Sequence, residues 1–268
     1  MATDVRVQER FLDLSHGKTR ILEAGNGYPT LLVHGAGFIS GADTWLPVIK
    51  PLAEHLHVYS MDALNYGKGD VFNQEFSFAY MVDHMREVLD ALDIDKANVI
   101  GHSMGGWLGT LFGYESAHRV NKLVLVAAGG TQARPLASMV DWQPPSEETI
   151  RNGAGRTLPP DERERVVQTF LDKAAKPEHV EAFGKVMKHM TNPETRIRYN
   201  TMRRLKHIPV PTLVVWGSED KTNDVSMAHD LADNIPGAKL IIYDGVGHGV
   251  PQEVPDKFVQ DVLAFLKD

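Results

Sequence analysis

The 268-residue chain contains no cysteine. That excludes disulfides, a thiolate nucleophile and any cysteine-ligated metal. No apolar run approaches the roughly 20 residues that a bilayer span requires. No basic block stands out, and the formal net charge is −7, so neither nucleic acid nor a membrane is an expected partner. Neither an H-E-x-x-H sequence nor a Walker phosphate loop is present, so no metal and no cofactor is expected. Gly153-Ala154-Gly155 is a lone G-x-G with no strand before it and does not read as a dinucleotide site. Met1 to Leu14 shows no basic segment leading into an apolar one, so no signal peptide is expected and a cytoplasmic protein is the reading. What is present, 43% hydrophobic and 24% charged residues, suits one large domain or a core with an inserted part.

The stretch that organises the chain is Gly101-His102-Ser103-Met104-Gly105-Gly106. It follows the apolar run Ala97-Asn98-Val99-Ile100 and precedes the helical pattern Trp107-Leu108-Gly109-Thr110-Leu111-Phe112. G-x-S-x-G at a strand-to-helix junction is a nucleophile elbow, which lifts a serine hydroxyl to the tip of a sharp turn. Small flanking residues remove the clash that such a strained turn creates. By chance alone the five-residue motif arises in about one such sequence in fifteen, so its context must carry the assignment.

That context is an alternation of strands and helices. Val5-Arg6-Val7 and Phe11 to Leu14 read as short strands, with Thr19 to Ala24 paired to them as a hairpin. Thr30 to Val33 reads as a buried strand ending in the loop His34-Gly35-Ala36-Gly37, and Trp45 to His55 as a helix. His57 to Asp62 is the next strand. Phe78, Val82, Met85, Leu89 and Leu92 mark one face of a helix capped by Ser77. After the elbow comes a strand over Lys122 to Ala128. From about Gly130 to His207 no strand pattern appears; helical faces run through Val166, Val167, Phe170, Leu171 and Ala174, through Val180, Phe183, Met187 and Met190, and through Ile197, Met202 and Leu205. Strands resume at Pro211 to Gly217 and Lys239 to Tyr243, with helices near Val225 to Asn234 and Pro255 to Leu266. The expected fold is α/β, a mostly parallel eight-stranded sheet with an inserted helical cap. The core takes residues 1–129 and 208–268, the cap 130–207.

Ser103 needs a base. His248, in Gly245-Val246-Gly247-His248-Gly249 just after the last strand, sits where a loop reaches over the sheet edge. The base needs a carboxylate, and Asp220 follows the preceding core strand in Trp216-Gly217-Ser218-Glu219-Asp220. Glu219, Asp224 and Asp244 are its rivals; Asp224 reads as a helix cap and Asp244 as a turn residue. No acid follows the strand ending at Ala127-Ala128. The oxyanion hole takes the backbone N–H of Met104 and that of Ala36, with Gly37 as the substitute for Ala36. His34 and His102 read as supporting neighbours, and Trp107 as packing behind the elbow.

Five blocks in this order resemble the α/β-hydrolase family over nearly the whole chain: His34 to Gly37, Asp62 through Tyr66-Gly67-Lys68-Gly69, Gly101 to Gly106, Trp216 to Asp220, and Gly247-His248 followed by Glu253-Val254-Pro255. Within it, the chain resembles the meta-cleavage-product hydrolases and small carboxylesterases. The first group implies cleavage of a C–C bond in vinylogous diketone acids from aromatic degradation. Those enzymes usually carry tryptophan after the catalytic histidine, where this chain has Gly249. Arg134, Arg151, Arg156 and Arg196 are candidates for their carboxylate-binding arginine, against the ordinary reading of solvated surface charges. The departure at 249 places hydrolysis of a small or medium carboxylic ester first, C–C hydrolysis second and a non-hydrolase ligand receptor third. The expected partner is a small-molecule substrate, and a homodimer is the assembly to test.

Overall fold

In the computed structural model the described residues are 5–74, 76–135 and 137–267. The ends of the chain assigned above to the core, Glu75, and Leu136 of the insertion lie outside them. Among the described residues eight strands form one sheet: β1 (Gln8–Leu14), β2 (Gly17–Ala24), β3 (Tyr28–Val33), β4 (Leu56–Met61), β5 (Ala97–His102), β6 (Val120–Val126), β7 (Thr212–Gly217) and β8 (Lys239–Tyr243). Their spatial order is β1-β2-β4-β3-β5-β6-β7-β8. β2 is antiparallel to β1 and β4, and the ladder from β4 to β8 is parallel. The helices used below are α1 (Leu46–Ala53), α2 (Phe78–Ala91), α3 (Met104–Glu115), α4 (Glu147–Gly153), α5 (Pro160–Ala174), α6 (Pro177–Thr191), α7 (Pro193–Arg198), α8 (Ser226–Asn234) and α9 (Pro255–Lys267).

The central strands are apolar on both faces because helices cover both. β5 and β7 are buried at every position. Alternate residues feed opposite cores. Leu31, Val33, Val99, Leu123, Leu125 and Trp216 pack with α2, α3 and α8. Leu32, Ile100, Val124, Val126 and Val215 pack with α1 and α9. A third, smaller cluster, Ile150, Ala154, Val166, Val167 and Phe170, joins α4 to α5. Between β6 and β7 the described residues form helices and no strand.

Three expectations are corrected. Val5 to Val7 is not a strand: β1 starts by pairing Gln8 with Glu23 and β2 ends at Ala24, so the residues before Gln8 run past their partner. The helical face drawn through Ile197, Met202 and Leu205 is two separate pieces, α7 and a turn at Met202–Leu205, with Ile197 exposed and only Leu205 in the core. The first helix is split, a 3-10 turn at Ala42–Trp45 leading into α1.

Buried charge ties the loops at the C-terminal sheet edge. Arg20 on β2 donates to both carboxylate oxygens of Asp62, at 2.8 and 3.0 Å, and also bonds Asp43 and Glu9. Asp62 accepts the N–H groups of Ala42 and Lys68, at 2.7 and 2.8 Å, pinning the segments on either side of it. Burial pushes the Asp62 carboxyl up, but the Arg20 guanidinium outweighs it and holds the pKa at about 2. Removing one partner of such a pair leaves the other charge stranded. Arg20→Met should therefore cost about 3–5 kcal/mol in urea unfolding, and a loss under about 1 kcal/mol would show the pair to be dispensable.

Three histidines are buried neutral. Burial lowers the pKa of His34 and His84 to about 4 and of His102 to about 3. The unfolded chain binds protons at these sites that the folded chain refuses. Their contribution to stability is whole above about pH 6.5 and is lost as pH falls from there through about 4. The melting temperature should drop steadily from pH 7 to 4.5; a flat profile would contradict this account.

Candidate active site

β5 ends at His102 and α3 begins at Met104, so Ser103 alone makes the turn between them. Its backbone sits at φ 55°, ψ −112°, a conformation L-residues avoid at a cost of about 1–3 kcal/mol. The surroundings enforce it. A Cβ on Gly101 would lie 2.2 Å from the Gly105 carbonyl oxygen, and one on Gly105 would lie 2.1 Å from that of Val33. Strand, turn and helix therefore meet backbone to backbone, and only glycine fits. The Ser103 N–H donates to Val126 at 2.9 Å, and its carbonyl accepts from Trp107 and Gly129.

β7 and β8 deliver the acid and the base to the same edge. His248 Nδ1 donates to Oδ2 of Asp220 at 2.7 Å, and the Asp220 side chain is fully buried. The other carboxylate oxygen accepts the N–H groups of Thr222 and Asn223, at 2.8 and 2.9 Å. This fixes the proton on Nδ1 and leaves Nε2 as the basic nitrogen. His102, next to the serine, lies tilted against the His248 ring with ring centres 4.8 Å apart and donates from Nε2 to the His248 carbonyl at 2.9 Å. Glu253 accepts from Gly247 and Gly249, the residues flanking the base, at 2.9 and 3.0 Å. The His248 backbone is thus held on both its N–H neighbours and its carbonyl. Among the described residues no hydrogen bond engages Nε2 of His248 or Oγ of Ser103.

The loop after β3 passes over the elbow. A Cβ on Gly35 would lie 3.2 Å from Cβ of Ser103. Met104 N–H opens α3 and has no intrahelical partner, and Ala36 N–H has no backbone partner among the described residues. His34 shapes this loop: Nδ1 donates to the Gly35 carbonyl at 2.8 Å, and Nε2 accepts from Ala63 at 2.9 Å. These two N–H groups and the N-terminal end of α3 are the candidate donors for a tetrahedral oxyanion on Ser103.

The rivals do other work. Asp224 accepts from Ser226 at the start of α8, Asp244 from Ser218, and the Glu219 N–H goes to Val246. Arg134 and Arg156 are exposed, and Arg151 pairs with Glu147. Arg196 is buried, but Gln132, Ala133 and Met190 carbonyls occupy its guanidinium over the Trp107 ring. Trp107 itself is buried and donates to the Tyr199 carbonyl, so it packs behind the elbow and anchors the insertion.

Three residues escaped the sequence reading. Glu253 was quoted in a block but given no role. Tyr66 donates to the Ala36 carbonyl at 3.3 Å and lies 3.5 Å from Sδ of Met104, touching both oxyanion residues. Lys173 lies buried on α5 among Phe38, Tyr66 and Phe183. The signal for Lys173 was there: it shares helical spacing with the apolar Val166 and Phe170.

A cavity of about 530 Å³ opens beside Phe38 and Ile39, with Trp142, Pro144 and Thr149 from the insertion opposite. Phe38 stacks on Trp142 with ring centres 6.2 Å apart, and Phe183 meets Phe38 edge-on at 5.2 Å and Trp142 at a tilt at 4.9 Å. Neither this cavity nor a wider groove between the β1–β2 side and α5 is lined by Ser103, Asp220 or His248.

Residues 30–261 match the model of the alpha/beta hydrolase family. The 2-hydroxy-6-oxo-6-(2'-aminophenyl)hexa-2,4-dienoic acid hydrolase of Metapseudomonas resinovorans is 29% identical over 279 residues, 96% of this chain and 90% of that one. A 2-hydroxy-6-oxononadienedioate/2-hydroxy-6-oxononatrienedioate hydrolase of Cupriavidus pinatubonensis is 30% identical over 285 residues, covering 96% and 94%. The solved meta-cleavage product hydrolase of Pseudomonas fluorescens IP01 is 25% identical with a TM-score of 0.80, covering 96% of this chain and 97% of that one. A strained serine between β5 and α3, an acid after β7 and a histidine after β8 lie inside the matched span, and the chain belongs to the alpha/beta hydrolase family, as a serine hydrolase.

Proposed function

We propose that this serine hydrolase cleaves a C–C bond in ring-fission products of aromatic degradation, acids that carry a vinylogous diketone. The observation that carries the reading is the similarity, nearly end to end, to proteins named as dienoate hydrolases. Gly249 had favoured ester hydrolysis. The space around it weakens that inference: a Cβ there would lie 3.2 Å from both Gln252 Oε1 and Glu253 Oε1. Glycine at 249 goes with the Glu253 clamp on the histidine loop and bears less on the bond broken.

In this reading Ser103 Oγ attacks the ketone and His248 Nε2 takes its proton. Asp220 steadies the imidazolium, and the N–H groups of Ala36 and Met104 hold the oxyanion. A carbon leaving group departs only if its electron pair is delocalised. The dienol must therefore first ketonise, a proton moving onto the chain carbon. Collapse of the tetrahedral species then expels a conjugated enolate, which takes up the proton held by His248. Water, deprotonated by His248, hydrolyses the Ser103 ester and releases the second acid. Residues 130–207 act as the cap, with Trp142 packed on Phe38 beside the apolar cavity. Ester hydrolysis is the second reading. It is favoured by the engagement or exposure of all four arginines weighed as carboxylate anchors.

Ser103→Ala should abolish turnover with the fold intact by circular dichroism, and with a dienoate it should accumulate the ketonised intermediate. Asp220→Asn should lower kcat by about 10³–10⁴-fold, since the imidazole loses its tautomer. Comparison of kcat/KM for a meta-cleavage dienoate and a short-chain aryl ester should favour the dienoate; a large preference for the ester would overturn the proposed bond.

A further inference from the structure

We propose that Lys173 is a positioning residue for the oxyanion hole: its positive charge ties helix α5 to the loop that carries the Ala36 donor. The hole is set only while that charge is present.

The geometry is unusual for a lysine. Its side chain is buried, and Nζ lies 4.7 Å from the ring centre of Phe38, 5.3 Å from that of Tyr66 and 5.5 Å from that of Phe183. Its one hydrogen bond, to the Asn65 carbonyl, is long at 3.5 Å. The ammonium is therefore held chiefly by ring faces, an attraction that exists only for the charged form. Two of the three rings belong to segments that carry or touch the Ala36 loop. Phe38 is two residues beyond Ala36 on the same loop. The Tyr66 hydroxyl donates to the Ala36 carbonyl, and burial pushes its pKa up, so it stays a donor. The third ring, Phe183, comes from α6. One charge on the insertion thus holds the loop, the tyrosine behind it and α6 together.

The groups facing Lys173 come from each surrounding segment. The loop after β4 contributes the Asn65 carbonyl, Tyr66 and, at its base, the Asp62 carboxylate. β2 contributes Arg20, and His34 lies behind the oxyanion loop. His179 on α6 feels the lysine, and burial followed by this charge lowers its pKa. Burial lowers the Lys173 pKa to about 8; Asp62 opposes the shift and Arg20 adds to it. The charge is present below about pH 8 and is lost above it. A neutral amine keeps the volume but not the attraction, so Phe38 and Tyr66 are released from α5 and the Ala36 donor is no longer fixed.

The test uses the full chain and the rate of Ser103 phosphonylation by a small fluorophosphonate between pH 6 and 10. That reaction needs nucleophile, base and oxyanion hole but no natural substrate, so its outcome is independent of whether C–C or ester bonds are cleaved. The wild-type rate should fall as pH rises through about 8. Lys173→Arg keeps its charge across the range, so it should react within a few-fold of wild type at pH 7 and lose the alkaline fall. Lys173→Met keeps the bulk without the charge and should react about tenfold or more slowly at pH 7, a partial loss of one oxyanion donor. An alkaline fall that survives in Lys173→Arg, its absence in wild type, or a wild-type rate in Lys173→Met would overturn the proposal. If Lys173→Met does not fold, the wild-type and arginine profiles still decide.

Discussion

The geometry of the candidate site depends on three backbones brought closer than any side chain allows. The end of β3, the turn at Ser103 and the first turn of α3 touch through Gly101 and Gly105, with carbonyl oxygens where Cβ atoms would stand. That contact strains Ser103 and aims its hydroxyl, and it frees the Met104 N–H at a helix start. It also brings the loop after β3 over the serine, so that nucleophile and oxyanion donors belong to one rigid junction. The strain is sustained by the packed sheet on both sides, where alternate residues of each central strand feed separate cores.

Around this junction the protein uses charge and neutrality in different places. Arg20 and Asp62 form a buried ion pair whose spare acceptor capacity pins the segments at Ala42 and Lys68. His34 and His102, adjoining the oxyanion loop and the nucleophile, are instead kept neutral by burial, so each can hold a backbone group in a fixed direction. Among the described residues only His248 has a buried carboxylate on one nitrogen and no hydrogen bond on the other. That difference in partners, more than the residue type, separates the base from the supporting histidines.

The helical insertion meets the core through aromatic surface. Phe38, Trp142 and Phe183 form one ring cluster, Tyr66 links that cluster to Ala36, and Arg196 and Trp107 anchor the return toward β7. At 249 an added Cβ would stand 3.2 Å from the side-chain ends of Gln252 and Glu253.

The order of strands and helices, the elbow and the positions of Ser103, Asp220 and His248 were legible in the chain itself. Each rests on contiguous residues: an apolar run, then small or polar residues at a turn, then helical spacing, whose local periodicity and sterics act within a few residues. Local pattern failed where pairing decided. Val5 to Val7 alternates like a strand but has no partner beyond Ala24, and Ile197 fits a helical face that the turn at Asn200 breaks. The roles of Tyr66, Lys173 and Glu253 were beyond it as well. Lys173 reaches the oxyanion loop across more than a hundred residues of chain, and no spacing rule spans such a distance. The sequence by itself determined which groups can react and on which sheet edge they stand. Only the tertiary structure decided which neighbours hold them, because those contacts arise when distant segments are packed against one another.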